Sequence, residues 1–268
     1  MKYKAVILVL SSDDECLSNT NWSSPRIYPL WKPMFPFFKN VWEQYHDSNP
    51  DIKVFYVYGQ TTVESAPHNL IFNQVKENNY PGMITKTLLA MDFINQEVEY
   101  DFLIRTNLST FWNLNTLVNR LDELPLEKCL TGTIIPRRMV EQMTGCRDLS
   151  RLVPDTYIAG YDMVMSRDIV SGILPHSQSI INNRVVLDME DLSLCEGISN
   201  YLDIVHLPFN IADQAVDMNM GNTFDDAVFL KRVTSSIDNK QTHFRVKNRL
   251  NRNVDKIILT KLLDNFYH

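Results

Sequence analysis

Short apolar runs alternate with amphipathic stretches along this chain. Residues 4–10, 52–57 and 102–106 are rich in apolar, β-branched and aromatic side chains. Uninterrupted runs of this length are typical of central strands in a sheet that is covered on both faces. We therefore expect these three runs to be inner strands of one sheet.

Helical periodicity fills the segments between these runs. In residues 82–95 the side chains of Ile84, Leu88 and Met91 fall on one helical face, and a Pro-Gly pair marks the start of the pattern. Residues 31–45 are expected to be helical after Pro36. Further helices are predicted at residues 115–124, 191–201 and 254–266, and further strands at residues 129–135 and 157–166.

Strands that alternate with helices predict an α/β fold with a mostly parallel, Rossmann-like sheet flanked by helices. The chain has 268 residues, which is enough for one sizeable core. It contains no repeat and no low-complexity linker, so we expect a single domain, residues 1–268. Residues 137–154 show the least regular pattern, and we expect them to form a mobile loop over the functional site.

Charge and hydropathy argue against a nucleic-acid partner and against a transmembrane segment. A net charge of −6 argues against nucleic acid, because phosphate contacts need a basic face. The apolar run at residues 5–10 is much shorter than the roughly 20 residues of a transmembrane helix. We expect no transmembrane segment and a cytoplasmic protein, or else the soluble portion of a membrane-anchored enzyme.

The most informative motif reads Tyr-Asp-Phe-Leu-Ile-Arg-Thr-Asn-Leu-Ser-Thr-Phe-Trp-Asn-Leu at residues 100–114. A strand here ends in a polar turn, which is where ligands bind in α/β sheets. The motif resembles a segment of nucleotide-sugar glycosyltransferases in which a turn of aspartates holds a divalent metal on the donor diphosphate. In this chain Asn107, Leu108 and Ser109 occupy the aspartate positions.

Four further segments, residues 79–91, 157–168, 189–194 and 242–248, are similar in order to motifs of one family. This family is the β-1,3-galactosyltransferase, N-acetylglucosaminyltransferase and Fringe-like group, and the resemblance covers roughly residues 52–248. It implies the GT-A type of fold, a role in carbohydrate biosynthesis, a nucleotide-sugar donor such as a UDP-sugar, and a glycan or glycoconjugate acceptor.

An inverting glycosyltransferase needs one carboxylate to take the proton from the acceptor hydroxyl. Asp191 is the candidate base and Glu190 the second choice, although a carboxylate at the start of a helix is also a common N-cap. Gly160 permits close approach to the backbone between Tyr157 and Tyr161, as an acceptor cleft formed by these three residues requires, although a glycine here equally fits a plain β-bulge.

The leaving diphosphate needs positive charge, and the missing aspartates leave two routes to supply it. Basic side chains can replace the metal, since a guanidinium binds phosphate oxygens bidentately. Alternatively, His243 holds a weakly bound Mn²⁺ or Mg²⁺ together with the donor. We favour the first route and expect no metal cofactor. The predicted donor-binding residues are Leu10, Ser11, Ser12, Lys86, Arg105, Asn107, Ser109, Arg245 and Lys247, with Arg249 as a further candidate.

Two functions remain open at this point. The first is an inverting glycosyltransferase that works without a tightly bound metal. The second is a catalytically inactive, glycosyltransferase-like protein that binds a sugar or a partner, and the loss of the aspartates is what this alternative predicts.

Overall fold

Three long strands lie side by side at the centre of the sheet in the computed structural model of this chain. Strand β1 (Lys2–Leu10) is parallel to both of its neighbours, β2 (Ile52–Tyr58) and β4 (Glu99–Asn107). The prediction of three inner strands is therefore confirmed. The structure describes residues 1–13, 31–78, 81–136, 139, 156–182, 190–206, 210–248 and 251–268.

Within these residues the main sheet has seven strands in the order β10-β6-β9-β4-β1-β2-β3. Its remaining members are β3 (Asn69–Ile71), β6 (Cys129–Thr131), β9 (Asp162–Ser166) and β10 (Val205–His206). Strand β9 is antiparallel to both β4 and β6, and the other neighbours are parallel. The predicted α/β class with a mostly parallel sheet is confirmed.

Helices cover both faces of this sheet. Side chains alternate between the faces of a strand, so Ala5, Ile7 and Val9 of β1 join one core cluster and Val6, Leu8 and Leu10 join the other. The first cluster includes helices α1 (Trp31–Glu43), α3 (Leu114–Leu121), α7 (Asp226–Asp238) and α8 (Arg252–Phe266). The second includes α2 (Gly82–Glu97), α4 (Arg167–Ile173), α5 (Ser177–Asn182) and α6 (Glu190–Tyr201).

A small second sheet brings a late segment of the chain next to the end of β4. It consists of β5 (Thr110–Trp112), β11 (Val216–Asp217) and β12 (His243–Arg245). Strand β12 is antiparallel to β5, with Arg245 opposite Thr110. This pairing places a basic residue beside the turn that joins β4 to β5.

Three predicted boundaries are wrong. Helix α1 was expected to begin after Pro36, but it begins at Trp31 and includes this proline. An interior proline costs a helix about 3 kcal/mol, while each fully buried aromatic side chain contributes about 1.5–3 kcal/mol. The burial of Phe38 and Trp42 outweighs the missing backbone hydrogen bond.

The predicted strands at residues 129–135 and 157–166 are each broken in two. The chain leaves β6 at Gly132, whose positive φ of 144° is accessible to glycine at little cost. It then forms β7 (Ile134–Pro136), which pairs with β8 (Thr156–Ile158) in a separate two-stranded sheet. Gly160 lies in the second break, between β8 and β9. The expected loop at residues 137–154 lies outside the described residues, except for Met139.

Among the described residues, no helix combines the length and apolar character needed to cross a bilayer.

Candidate functional site

The carboxyl ends of β1 and β4 meet at one edge of the main sheet. Leu10 pairs with Asn107 in the parallel register, so the turn at residues 10–12 lies beside the turn at residues 107–109. Ser11 extends the alignment, because its backbone N–H donates to Val57 at 3.0 Å. Leu10, Ser11 and Ser12 are all buried, with at most 5% of each residue exposed. Ligands of open α/β sheets bind at such an edge.

A buried ion pair lies next to the turn at residues 10–12. The ammonium group of Lys86 lies 2.8 Å from both carboxylate oxygens of Glu77 and 2.8 Å from the carbonyl oxygen of Ser11. These three acceptors match the three donors of an ammonium group. Burial lowers the pKa of Lys86, and the Glu77 carboxylate opposes that change. Lys86 lies beside Ser11, another predicted donor-binding residue, but its ammonium group is paired with Glu77.

Arg245 lies against the turn that follows β4. Its Nη1 donates to Asn107 Oδ1 and to Ser109 Oγ, both at 2.5 Å, and to Thr110 Oγ1 at 3.3 Å. Its guanidinium carbon also lies 4.6 Å from the centre of the Tyr161 ring, within the range of a cation–π contact. Burial lowers the pKa of Arg245 to about 10, so the side chain is still a cation at neutral pH.

Lys247, the other late basic residue among the predicted donor contacts, follows Arg245 after one residue and is partly buried. The backbone N–H of Val246 donates to the carbonyl oxygen of Ser109 at 2.9 Å, which holds this segment to the same turn. Arg249 lies outside the described residues.

A second arginine, on β4, contacts the start of α6. Arg105 of β4 is 4% exposed and forms an ion pair with Glu190. Burial lowers the pKa of Arg105 to about 10, opposed by the nearby Asp191. The carboxylate of Asp191 accepts hydrogen bonds from the backbone N–H of Gly160 and from that of Leu192, each at 3.0 Å. The two predicted acidic residues therefore have different partners.

Gly160 allows Arg105 and Asp191 to approach the chain between β8 and β9. A Cβ atom at this position would lie 2.6 Å from Arg105 Nη1 and 2.7 Å from the Cβ of Asp191. Both distances are shorter than van der Waals contact, so a larger residue at this position forces both charged side chains, or the backbone that carries them, to shift.

We therefore expect Gly160→Ala to lower the free energy of unfolding by about 1–3 kcal/mol, as is typical of overpacking. Urea denaturation checks this. Gly172→Ala is the control, because the atoms nearest to its added methyl group belong to the side chain of Leu202, which can rotate away. Equal stability of Gly160→Ala and the parent chain would contradict the tight approach.

His243, the predicted ligand if a metal is used, is buried and already bonded. Its Nε2 lies 2.7 Å from Asp162 Oδ2, and its Nδ1 lies 2.8 Å from Thr242 Oγ1. The ring also stacks on Trp112 at 4.2 Å between centroids. A metal ion bound to His243 would have to replace one of these hydrogen bonds. Asp162, whose carboxylate already contacts the ring, would be the neighbouring ligand.

The predicted acceptor residues lie on β8 and in the break between β8 and β9, where Gly160 adjoins Arg105. Tyr157 is 4% exposed, and burial raises the pKa of its phenol above the ordinary value. Tyr161 is partly buried, and burial raises its pKa to about 12. Its carbonyl oxygen accepts a hydrogen bond from Thr106 Oγ1 at 2.6 Å, which joins the break between β8 and β9 to the end of β4.

Sequence reasoning missed Glu77 and Asp162. Glu77 lies nine residues before Lys86 in a loop without a recognisable pattern, so nothing local indicates the pair. Asp162 had a signal, since it is an acidic residue directly before the apolar residues 163–165 of a fully buried strand. A buried carboxylate needs a partner, and here His243 and Thr133 supply it.

In comparisons with known proteins, no protein-family model and no curated protein matches this chain.

Proposed function

We propose that this chain is an inverting glycosyltransferase of the GT-A type. It transfers a sugar from a nucleotide-sugar donor, a UDP-sugar being the expected one, to a hydroxyl group of a glycan or glycoconjugate acceptor. It does so without a tightly bound metal. The support comes from the α/β fold, from the motifs at the end of β4 and the start of α6, and from the charges around them.

The observation that carries the proposal is the contact of Arg245 with Asn107 and Ser109. In the enzymes that this chain resembles, aspartates at this turn hold the metal that balances the donor diphosphate. Here the turn binds a guanidinium directly, and a second guanidinium, that of Arg105, lies at the adjacent end of β4. Arginine pairs bidentately with phosphate oxygens and stabilises negative charge on a leaving group.

Asp191 is the proposed general base. The acceptor oxygen forms a bond to the anomeric carbon while the bond from that carbon to the diphosphate breaks, and Asp191 takes the hydroxyl proton. The amide of Gly160 orients the carboxylate. Glu190 is the less suitable base, because its carboxylate is paired with the buried Arg105.

A second candidate function is a non-catalytic protein that binds a sugar or a partner. It is favoured by the internal pairing of the charged groups, since Glu190 pairs with Arg105, Lys86 with Glu77, and Asp191 with backbone amides. A site that balances its own charges is well suited to binding without chemistry.

Calorimetry with UDP and a transfer assay with a panel of UDP-sugars and acceptors distinguish the two functions. Binding with transfer of sugar supports the enzyme. Binding without transfer or hydrolysis of any donor supports the binding protein, and no binding of any nucleotide or nucleotide sugar contradicts the proposed enzyme.

Sugar transfer should persist in EDTA and should depend on the basic side chains of Arg245 and Lys247. We expect the double variant Arg245→Gln, Lys247→Gln to bind UDP about 10–100-fold more weakly, because a hydrogen bond to a charged group contributes roughly 1.5–3 kcal/mol. The difference should grow at low ionic strength, where charges are least screened. The measurement is the dissociation constant at several salt concentrations.

The control is Lys231→Gln, which removes a positive charge from an exposed position on α7. Activity that disappears in EDTA and returns with Mn²⁺ would overturn metal independence. His243 and Asp162 would then be the residues to substitute next.

A further inference from the structure

Two histidines and an aspartate converge at the edge of the main sheet, away from the site described above. His46 and Asp47 lie in the turn after α1, and His68 directly precedes β3. Asp47 Oδ2 lies 3.3 Å from Nε2 of His46 and 3.6 Å from Nε2 of His68. One donor atom from each residue lies within 4.8 Å of the other two. Strands β1 and β2 separate this cluster from β4.

In both rings the outer nitrogen, Nδ1, is the one that does not face Asp47, and it is hydrogen-bonded to the neighbouring strand β2. Nδ1 of His68 lies 2.9 Å from the carbonyl oxygen of Val54, and Nδ1 of His46 lies 3.0 Å from the hydroxyl group of Tyr56. A carbonyl oxygen can only accept, so Nδ1 of His68 carries the hydrogen and Nε2 of the neutral ring presents a lone pair. Histidine ligands of metal ions are oriented in this way by their outer nitrogen.

The atoms of the cluster that face one another are ones that a cation can bind together. When the rings are neutral, the Nε2 lone pair of His68 faces a carboxylate oxygen, and neither atom can donate. A proton satisfies one such contact, whereas a metal ion satisfies all three ligands at once. Zinc bonds of about 2.0–2.2 Å at tetrahedral angles separate neighbouring ligand atoms by about 3.3 Å. The two distances to Asp47, 3.3 Å and 3.6 Å, are close to this value.

We propose that His46, Asp47 and His68 bind a divalent transition-metal ion of the zinc class. Imidazole nitrogen selects zinc, nickel or copper over magnesium and calcium, which prefer oxygen ligands. The Asp47 side chain is 64% exposed, so water has access to the fourth position. The ion links the turn after α1 to the loop before β3, and this role is separate from the proposed sugar transfer.

Calorimetric titration of the full chain with ZnCl₂, after dialysis against EDTA and then metal-free buffer, tests the proposal. We expect one zinc ion per chain at this site and a higher unfolding temperature with zinc. The key variant is His68→Asn, because an asparagine amide keeps a donor near the Nδ1 position and removes Nε2. Its affinity should fall by more than the roughly 10–100-fold that loss of an outer hydrogen-bond partner costs.

The matched control is His176→Asn. His176 stacks on Tyr201 with ring centres 3.9 Å apart and is not one of the three ligands, so zinc affinity should be unchanged. Asp47→Asn provides a second test on an exposed side chain, in case His68→Asn fails to fold. Absence of zinc binding to the parent chain would overturn the proposal. So would an affinity that neither His68→Asn nor Asp47→Asn reduces, because the ion would then bind elsewhere.

Discussion

Replacing Asp191 with asparagine is expected to lower sugar transfer by about 10²–10⁴-fold, the usual contribution of a positioned acid or base. The amide has nearly the shape of the carboxylate but cannot take a proton from the acceptor hydroxyl. Its oxygen can still accept the hydrogen bond from Gly160 that the carboxylate accepts at 3.0 Å. Donor binding should therefore persist, and the loss should lie in kcat.

Initial-rate kinetics and UDP calorimetry on the same preparation separate these two effects. The control is Asp203→Asn, whose side chain lies beyond the C-terminal end of α6, is 94% exposed and pairs with Lys128. If Asp191→Asn turns over at the parent rate, Asp191 is not the base, and Glu190→Gln becomes the decisive variant.

Replacing Glu77 with glutamine is expected to lower the free energy of unfolding by about 3–5 kcal/mol, as is usual when one partner of a buried ion pair is removed. Both side chains of the Glu77–Lys86 pair are 1% exposed. The variant therefore leaves an ammonium group in the core with neutral acceptors. The measurement is urea denaturation at pH 7, with Glu64→Gln as the exposed control, for which a change within about 0.5 kcal/mol is expected.

The dependence of this loss on pH follows from the pKa of Lys86, which burial lowers and which the loss of Glu77 lowers further. Between the folded pKa and the unfolded value of about 10.4, the unfolded chain binds more protons than the folded chain. The stability of the variant therefore rises with pH in this interval. A deficit that does not shrink on the alkaline side would contradict the ion-pair explanation.

The main strands and helices were predictable because their signals are local. The apolar runs that became β1, β2 and β4 and the periodic stretch that became α2 each carry their pattern within a few residues. The break at Gly132 was not predictable, because a glycine inside an apolar run looks the same in a continuous strand, and Gly160 fitted a close approach and a β-bulge equally well. The two breaks depend on the pairing of β7 with β8. The break at Gly160 also depends on the approach of Arg105 and Asp191.

The candidate site was predictable as a position but not as a set of contacts. The turn at Asn107 stood out by its place after a strand and by the resemblance to known enzymes. That Lys86 pairs with Glu77 depends on a loop without a recognisable pattern, and that Arg245 reaches this turn depends on the pairing of distant segments. The cluster of His46, Asp47 and His68 was missed for the same reason, since the two histidines lie on different sides of β2 in the sequence.

The pairing of β12 with β5 also bears on the order in which the molecule forms. Arg245 and Asn107 are 138 residues apart in the chain, and closing so long a loop costs entropy before any contact offsets it. Contacts of this range form slowly compared with local ones. During refolding, the turn at the end of β4 is therefore expected to exist before its guanidinium arrives. If the proposed function holds, nucleotide affinity would then recover later than sheet content during refolding, and its recovery would mark the completion of the native state.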